Sequence, residues 1–271
     1  MYKRLDYLFY TDTFYIKQFV SKTGCSMMQL FVSDNGFVKV YGMKYEIEFV
    51  KSIKLFFKEV GSPKEFIVET RPYHKSNELR TFLNKVDTTH RVLEESTQHF
   101  DRSQLYIVLM KTVVGKDMWE TNYPMQLWCY VCEQRAAINN FTVNNIFQLQ
   151  GQNPYMETLE EMGEISNLFQ FGCYEWVHFH QKTAAFPFQK EELGRCLVPT
   201  KNYGNEMCQW VLQQKGQVVP RRTLRRLRLE ELIVTNEAES NKRAVFDANI
   251  KEPFGYSIVP MPLKPEREWF D

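Results

Sequence analysis

An aspartate stands in the middle of an aromatic run, "FYTDTF", at position 12. A glutamate closes the apolar run "KEFIVE" at position 69, and Gln104 lies near the head of the helical stretch "DRSQLYIVLMK". A carboxylate inside an aromatic strand is costly to bury unless it is paired or bound to a cation. Alternation puts Asp12 on the side of Tyr10 and Phe14, so it faces either solvent or a functional cleft. Glu69 sits at the carboxyl end of its strand, where open α/β sheets gather ligands. The plainer reading is a strand end turning into the "TRPYH" loop. Gln104 follows Asp101 at the D-x-x-Q spacing of a helix cap, in which the amide reaches back to the cap backbone and has a structural role only. Lys111, two helical turns further on, shares its face.

A second group of candidates is basic. "VPRRTLRRLR" places Arg221, Arg222, Arg225, Arg226 and Arg228 within eight residues. Guanidinium forks bind two phosphate oxygens at once, so this density fits contact with nucleic acid; a strand edge guarded by charge is the competing reading. His178 and His180 in "WVHFH" share one side of a strand, but no third ligand is near in sequence, and a pair of surface histidines is the plainer reading. "CYVC" (129–132) falls in a helical pattern with no second Cys or His pair at zinc spacing, and reads as two buried cysteines. No glycine-rich phosphate loop and no nucleophile elbow is present.

The elements that must position these residues follow from the patterning. "YLFYTDTFY", "SMMQLFVSD" and "FVKVYGMK" read as three antiparallel strands, the last two joined by the Asn35-Gly36 turn. "YEIEFVKSIKLFFKEVG" has Ile47, Val50, Ile53, Phe56, Phe57 and Val60 near helical spacing. "KEFIVET" and "THRVLEES" read as strands around a helix capped by Ser76, and two helices follow, from 102 to about 120 and from about 125 to 141. The β-β-β-α-β-α-β-α-α order predicts an α/β fold with a mixed five-stranded sheet flanked by helices on both faces. This core is expected to occupy residues 1–145, with a polar linker over 146–170. Residues 171–228 carry short strands between turn signals and predict a small basic barrel. Residues 229–271 predict an acidic, largely irregular tail.

The 271 residues are 44% hydrophobic and 15% aromatic, which marks a globular chain. Net charge is only +1, yet residues 171–228 hold ten Lys plus Arg against four acids, and residues 229–271 hold five against nine. No apolar run approaches a membrane span, and the first residues lack a cleavage signal, so an intracellular, non-secreted protein without a membrane partner is expected, nuclear or cytoplasmic.

Together the pieces resemble the integrase region of copia-type LTR retrotransposon polyproteins. The resemblance rests on "FYTDTF", "LFVSDNGFVKVYGMK", "FKEVGSPKEFIVET", "QLYIVLMK", "NPYMETLEEMGEIS" and "GRCLVPTKNYGNEMCQWVLQQKGQVVPRRTLRRL", in that order, over roughly residues 8 to 228. It implies a ribonuclease H-like integrase core followed by an SH3-like barrel, DNA as partner, a homo-oligomer, and strand transfer through two Mg²⁺ or Mn²⁺ ions held by Asp, Asp and Glu. On that pattern Asp12 matches the first ligand, Glu69 stands where the family has Asp, and Gln104 stands where it has Glu. Glu for Asp keeps the charge on a longer arm; Gln for Glu removes a charge from the ligand set. The resemblance therefore implies a degenerate copy with catalysis weak or lost, the metal reduced to a single ion on Asp12 and Glu69. Nucleic acid would be bound through Lys111, Arg221, Arg222, Arg225 and Arg226. The family's amino-terminal zinc-binding segment has no counterpart in the sequence, which again reads as a fragment. A non-enzymatic nucleic-acid-binding module and a relic without function are the alternatives.

Overall fold

The first strand, β1 (Arg4–Tyr15), runs through the centre of a five-stranded sheet in a computed structural model. The structure describes residues 2–16, 19–69, 76–93, 102–143, 149, 151–180, 191–200, 207–232 and 237–254. On one side β1 pairs antiparallel with β2 (Met27–Ser33), which pairs antiparallel with β3 (Val38–Met43). On the other it pairs parallel with β4 (Ser62–Val68), and β4 pairs parallel with β5 (Thr89–Val92). Gly36 takes a φ of +88° in the turn between β2 and β3, a conformation that glycine adopts without steric cost. Parallel neighbours cannot be joined by a hairpin. Accordingly α1 (Phe49–Glu59) and α2 (Asn77–Lys85) lie between β3, β4 and β5 in the chain. The order β3-β2-β1-β4-β5 with helices on both faces is the mixed five-stranded α/β arrangement expected from the sequence.

Strand alternation sorts the core into two layers. Phe9, Phe31 and Phe66 point to α1 and α2, meeting Phe49, Ile53, Phe56 and Leu79, with the Phe31 and Phe56 rings stacked at 4.6 Å. Met28, Leu30 and Val32 point the other way. There they meet Ile107, Met110 and Val114 of α3 (Arg102–Thr121) and Trp128 and Val131 of α4 (Trp128–Phe141). Each such buried side chain contributes about 1.5–3 kcal/mol of transfer free energy. The Ser76 cap is present, its Oγ accepting from Leu79 N at 3.3 Å. Ile47 departs from the expected helix face. It sits in a 3₁₀ turn over Glu46–Glu48 and is 86% exposed, because the α1 helix begins only at Phe49.

Beyond α4, the segment read as a polar linker holds two short helices, α5 (Pro154–Leu159) and α6 (Ser166–Phe169). The start of α5 is set locally: Asn153 accepts from Met156 N at 2.9 Å and Pro154 fills the first turn. Five strands follow, β6 (Trp176–His180), β7 (Glu191–Pro199), β8 (Gln209–Gln213), β9 (Val218–Arg221) and β10 (Leu224–Arg226), in the order β10-β6-β7-β8-β9 and antiparallel throughout. The two edge strands are joined by only two residues. That link reaches roughly 10 Å, whereas a flat sheet would hold its edges roughly 19 Å apart. The sheet is therefore curled. It packs on the first unit through Leu197, Leu212 and Trp210, which share a cluster with Trp128 and Val131.

Where an irregular tail is expected, α7 (Leu229–Leu232) precedes an 18-residue helix, α8 (Glu237–Phe254). Phe246 and Ile250 of α8 are fully buried, Phe246 edge-on to Trp176 at 5.1 Å. Arg195 fastens the same helix: its guanidinium lies 3.5 Å over the Trp176 ring and reaches Asp247 at 3.3 Å. Residues 255–271 of the predicted tail lie outside the described residues.

Candidate functional site

Asp12 is 4% exposed, and the even-numbered residues of β1 face the α3 layer, so of its two readings the solvent-facing one fails. Its Oδ1 accepts from Thr13 N at 2.6 Å. The strand is pinned from behind by buried polar groups: Thr11 Oγ1 donates to Leu30 O at 2.7 Å, Gln29 Nε2 donates to Thr11 Oγ1, and Thr13 Oγ1 donates to Gln29 Oε1. Such a satisfied network fixes the backbone at Asp12.

The parallel β1–β4 pairing ends at Thr11 opposite Val68. The next residues along the two strands are Asp12 and Glu69, which puts both carboxyl groups at the carboxyl end of the sheet, where the crevice rule expects ligands. Gln104 enters from α3 and donates from Nε2 to Glu69 Oε1 at 2.8 Å. The capping partner predicted for it, Asp101, lies outside the described residues. Two turns along α3, the exposed Lys111 places its Nζ 5.7 Å from the centre of the Phe14 ring, two residues from Asp12 on the same strand face. The structure thus gathers Asp12, Glu69, Gln104 and Lys111 from three elements and a span of about a hundred residues.

The donor set suits one divalent cation better than two. Asp12 and Glu69 offer two carboxylates on neighbouring strands. The third position offers an amide whose N–H is already given to Glu69, a contact that an anionic oxygen accepts much as it would accept a cation. Among the described residues no group of three or more His, Cys, Asp or Glu side chains is arranged to hold a metal.

The arginines divide by partner. Arg225 is clasped by two carboxylates, with Nη2 2.7 Å from Glu191 and Nη1 2.8 Å from Glu231. Arg226 lies 3.3 Å from Glu175 and donates to Gln170 O. Arg221 donates to Pro220 O at 2.9 Å and lies 5.4 Å from the Phe179 ring. Arg222 is exposed. The pair of histidines belongs to the same cluster and is not a surface pair: His178 is 8% exposed with Nε2 3.8 Å from Glu231, while the more exposed His180 lies 3.9 Å from Glu191. Cys129 and Cys132 are buried as expected, and burial pushes the Cys129 thiol up to about 12.

Arg225 is thus a structural tie in the second sheet. Its guanidinium holds the Glu231 carboxyl down at about 2, and Glu191 is lowered for the same reason. Carboxyls lowered by folding stabilise the chain above their usual range and lose that contribution as pH falls through the folded values. Arg225→Ala is expected to cost about 1–2 kcal/mol at neutral pH, and the deficit should shrink between pH 4.5 and 2. Urea unfolding across that range checks it; a deficit that does not change with pH contradicts the assignment.

No family model matches the chain, and no curated protein matches it. Solved structures do. The intasome of simian T-cell lymphotropic virus in complex with the PP2A regulatory subunit B56 gamma aligns over 82% of this chain and 82% of that one, at 14% identity and a TM-score of 0.42. The HTLV-2 integrase catalytic core domain in complex with magnesium aligns over 56% of this chain. Its trimeric form is covered to 96% at 16% identity and a TM-score of 0.45, and its dimeric form to 93% at 17% and 0.41. Scores below 0.5 assign no role to any residue.

Proposed function

We propose that the chain is an integrase-like protein of retrotransposon descent that binds DNA and has weak or no strand-transfer activity. The observation that carries this reading is the Gln104 amide donating to Glu69 beside Asp12, where a third anionic ligand is needed. Asp12 and Glu69 would hold a divalent ion, Mg²⁺ or Mn²⁺, which would supply Lewis-acid polarisation of one phosphodiester oxygen. The chain's own contributions are positional. Gln104 fixes the orientation of the Glu69 carboxylate, and Lys111 brings positive charge to the mouth of the cleft for a DNA phosphate. In-line displacement also needs the opposite oxygen neutralised, and an amide does that poorly. A 3′-processing or strand-transfer assay with Mg²⁺ and with Mn²⁺ should show little turnover. Robust turnover that disappears in Asp12→Ala would overturn the reading.

DNA contact is proposed for Lys111, Arg221 and Arg222, with smaller parts for Arg225 and Arg226, whose guanidinium groups must first leave their carboxylates. Anisotropy titration of duplex DNA between 50 and 200 mM salt is expected to show binding that weakens with salt. Lys111→Ala and Arg222→Ala should each lower the slope of log K against log salt by about 1 without changing stability. Absence of binding at low salt would remove DNA as the partner.

A further inference from the structure

Helix α3 is apolar on both sides. Its inner side, Ile107, Met110, Val114 and Met118, is buried in the cluster shared with β2 and α4. Its outer side carries Leu105, Val108, Leu109, Val113 and Trp119, each between 37% and 61% exposed, at the spacing of one stripe over about four turns. The outer sides of the other two helices packed on the sheet are charged: α1 shows Lys51, Lys54 and Lys58 to water, and α2 shows Glu78, Arg80 and Lys85. A helix that is apolar all round belongs in an interior. Among the described residues nothing covers the outer side of α3.

Area and shape say what fits there. These five side chains leave about 500 Å² of apolar surface in water, at the upper end of what a monomer exposes. Two such stripes laid together remove about 1,000 Å² before flanking polar groups are counted, which reaches the lower bound of a specific complex. The stripe also complements itself. In an antiparallel pair with its two-fold axis at Thr112, residues equidistant from Thr112 lie level, so Leu105 of one copy meets Trp119 of the other. Val108 and Leu109 then lie level with Gly115 and Lys116. No heavy atom lies within 4 Å of the place a Cβ on Gly115 would take, so the bare backbone leaves a hollow for an aliphatic side chain. The charges on this side, Lys116 and Glu120, lie 3.8 Å apart in the same chain, and pairing the stripes buries no unmatched charge. Antiparallel alignment further sets each helix end beside the oppositely charged end of the other copy.

We propose that the outer side of α3 is a self-association surface on which a second copy of this chain docks antiparallel about Thr112. Lys111 turns away from it toward Phe14, so the cleft of each copy stays open and the proposal stands apart from the metal and DNA readings above. Sedimentation velocity of the full chain between about 1 and 100 µM should show a monomer–dimer equilibrium with Kd below about 20 µM. Val108→Lys places a cation level with Lys116 of the other copy and should weaken the dimer at least about tenfold. Gly115→Leu fills the hollow with a better helix former, so it should raise the unfolding midpoint of the monomer while weakening the dimer about tenfold. A residue that matters only to the folding of one chain gives no such opposition. Thr112→Cys, on the axis, should form an interchain disulfide with oxidised glutathione, whereas Thr81→Cys, exposed on α2, should not. A chain still monomeric at about 100 µM, a dimer indifferent to both Val108→Lys and Gly115→Leu, or equal cross-linking of the two cysteine variants overturns the proposal. Should Val108→Lys fail to fold, Gly115→Leu and the cysteine pair decide it alone.

Discussion

In Gln104→Glu, the site proposed to hold one divalent ion is expected to hold two. The substitution exchanges an amide for a carboxylate at a position 2.8 Å from Glu69, without adding a heavy atom. Titration with Mn²⁺, followed by paramagnetic resonance or calorimetry, should give one ion per chain for the unmodified protein and two for the variant. The metal-free variant should be less stable, because the hydrogen bond to Glu69 becomes a repulsion between carboxylates, a change of about 1–3 kcal/mol. That penalty exists only while both groups are ionised, so it is expected to be full at pH 7 and to fade as the pH falls toward 4. Saturating Mn²⁺ should reverse it, since an ion that binds the folded state alone stabilises that state by mass action. Adding Glu69→Asp, which retracts the ligand by one methylene, is expected to raise strand transfer about a hundredfold over the unmodified chain. Two ions on the unmodified protein, or one on Gln104→Glu with its fold intact, would show that the three side chains do not form one ligand set.

The sheet was legible because its signals are local. Alternating strands, the Asn35-Gly36 turn, the Ser76 cap and the run of aromatic residues in α1 each act within a few positions, and together they leave few topologies open. What escaped depends on partners far apart in the chain. Gln104 fits a helix cap by spacing, and its contact with Glu69, 35 residues away, has no local signature. The density of Arg221 to Arg228 could be counted, but not that Glu191, 34 residues before Arg225, would claim one of its faces. His178 looked like a surface residue because strand alternation does not say which face another element covers; the Glu231 side chain of α7 is what lies against it. The helix α8 was missed for the same reason. Its sequence is polar and weakly amphipathic, and it is anchored by two buried residues, Phe246 and Ile250, the first edge-on to Trp176 of the second sheet, and by the Asp247 tie to Arg195.

Arg135→Met should be the most destabilising single change at a charged residue of the first unit, by about 3–5 kcal/mol. The Arg135 guanidinium of α4 donates from Nε and Nη2 to the two oxygens of Asp117 on α3, and Asp117 is only 7% exposed. These bonds raise the Arg135 pKa against the opposing effect of burial. Methionine keeps much of the aliphatic volume and removes the charge, so the cost isolates the carboxylate left alone between two helices rather than a cavity. Folding must then either bury an unpaired anion or protonate it. The burial cost falls on the charged carboxylate alone, so it is present only where Asp117 carries its charge. The deficit is therefore expected to be largest at neutral pH and to shrink near pH 4, as measured by urea midpoints with an unchanged slope. Asp117→Leu combined with Arg135→Met should recover most of the loss, since an apolar pair of similar volume replaces a buried ion pair at little cost. The consequence reaches the cleft, because α3 also carries Gln104 and Lys111: in the single variant DNA affinity should fall along with stability, and in the double variant both should return together. A deficit below about 1 kcal/mol would mean that water reaches Asp117 and that other contacts hold α3 against α4.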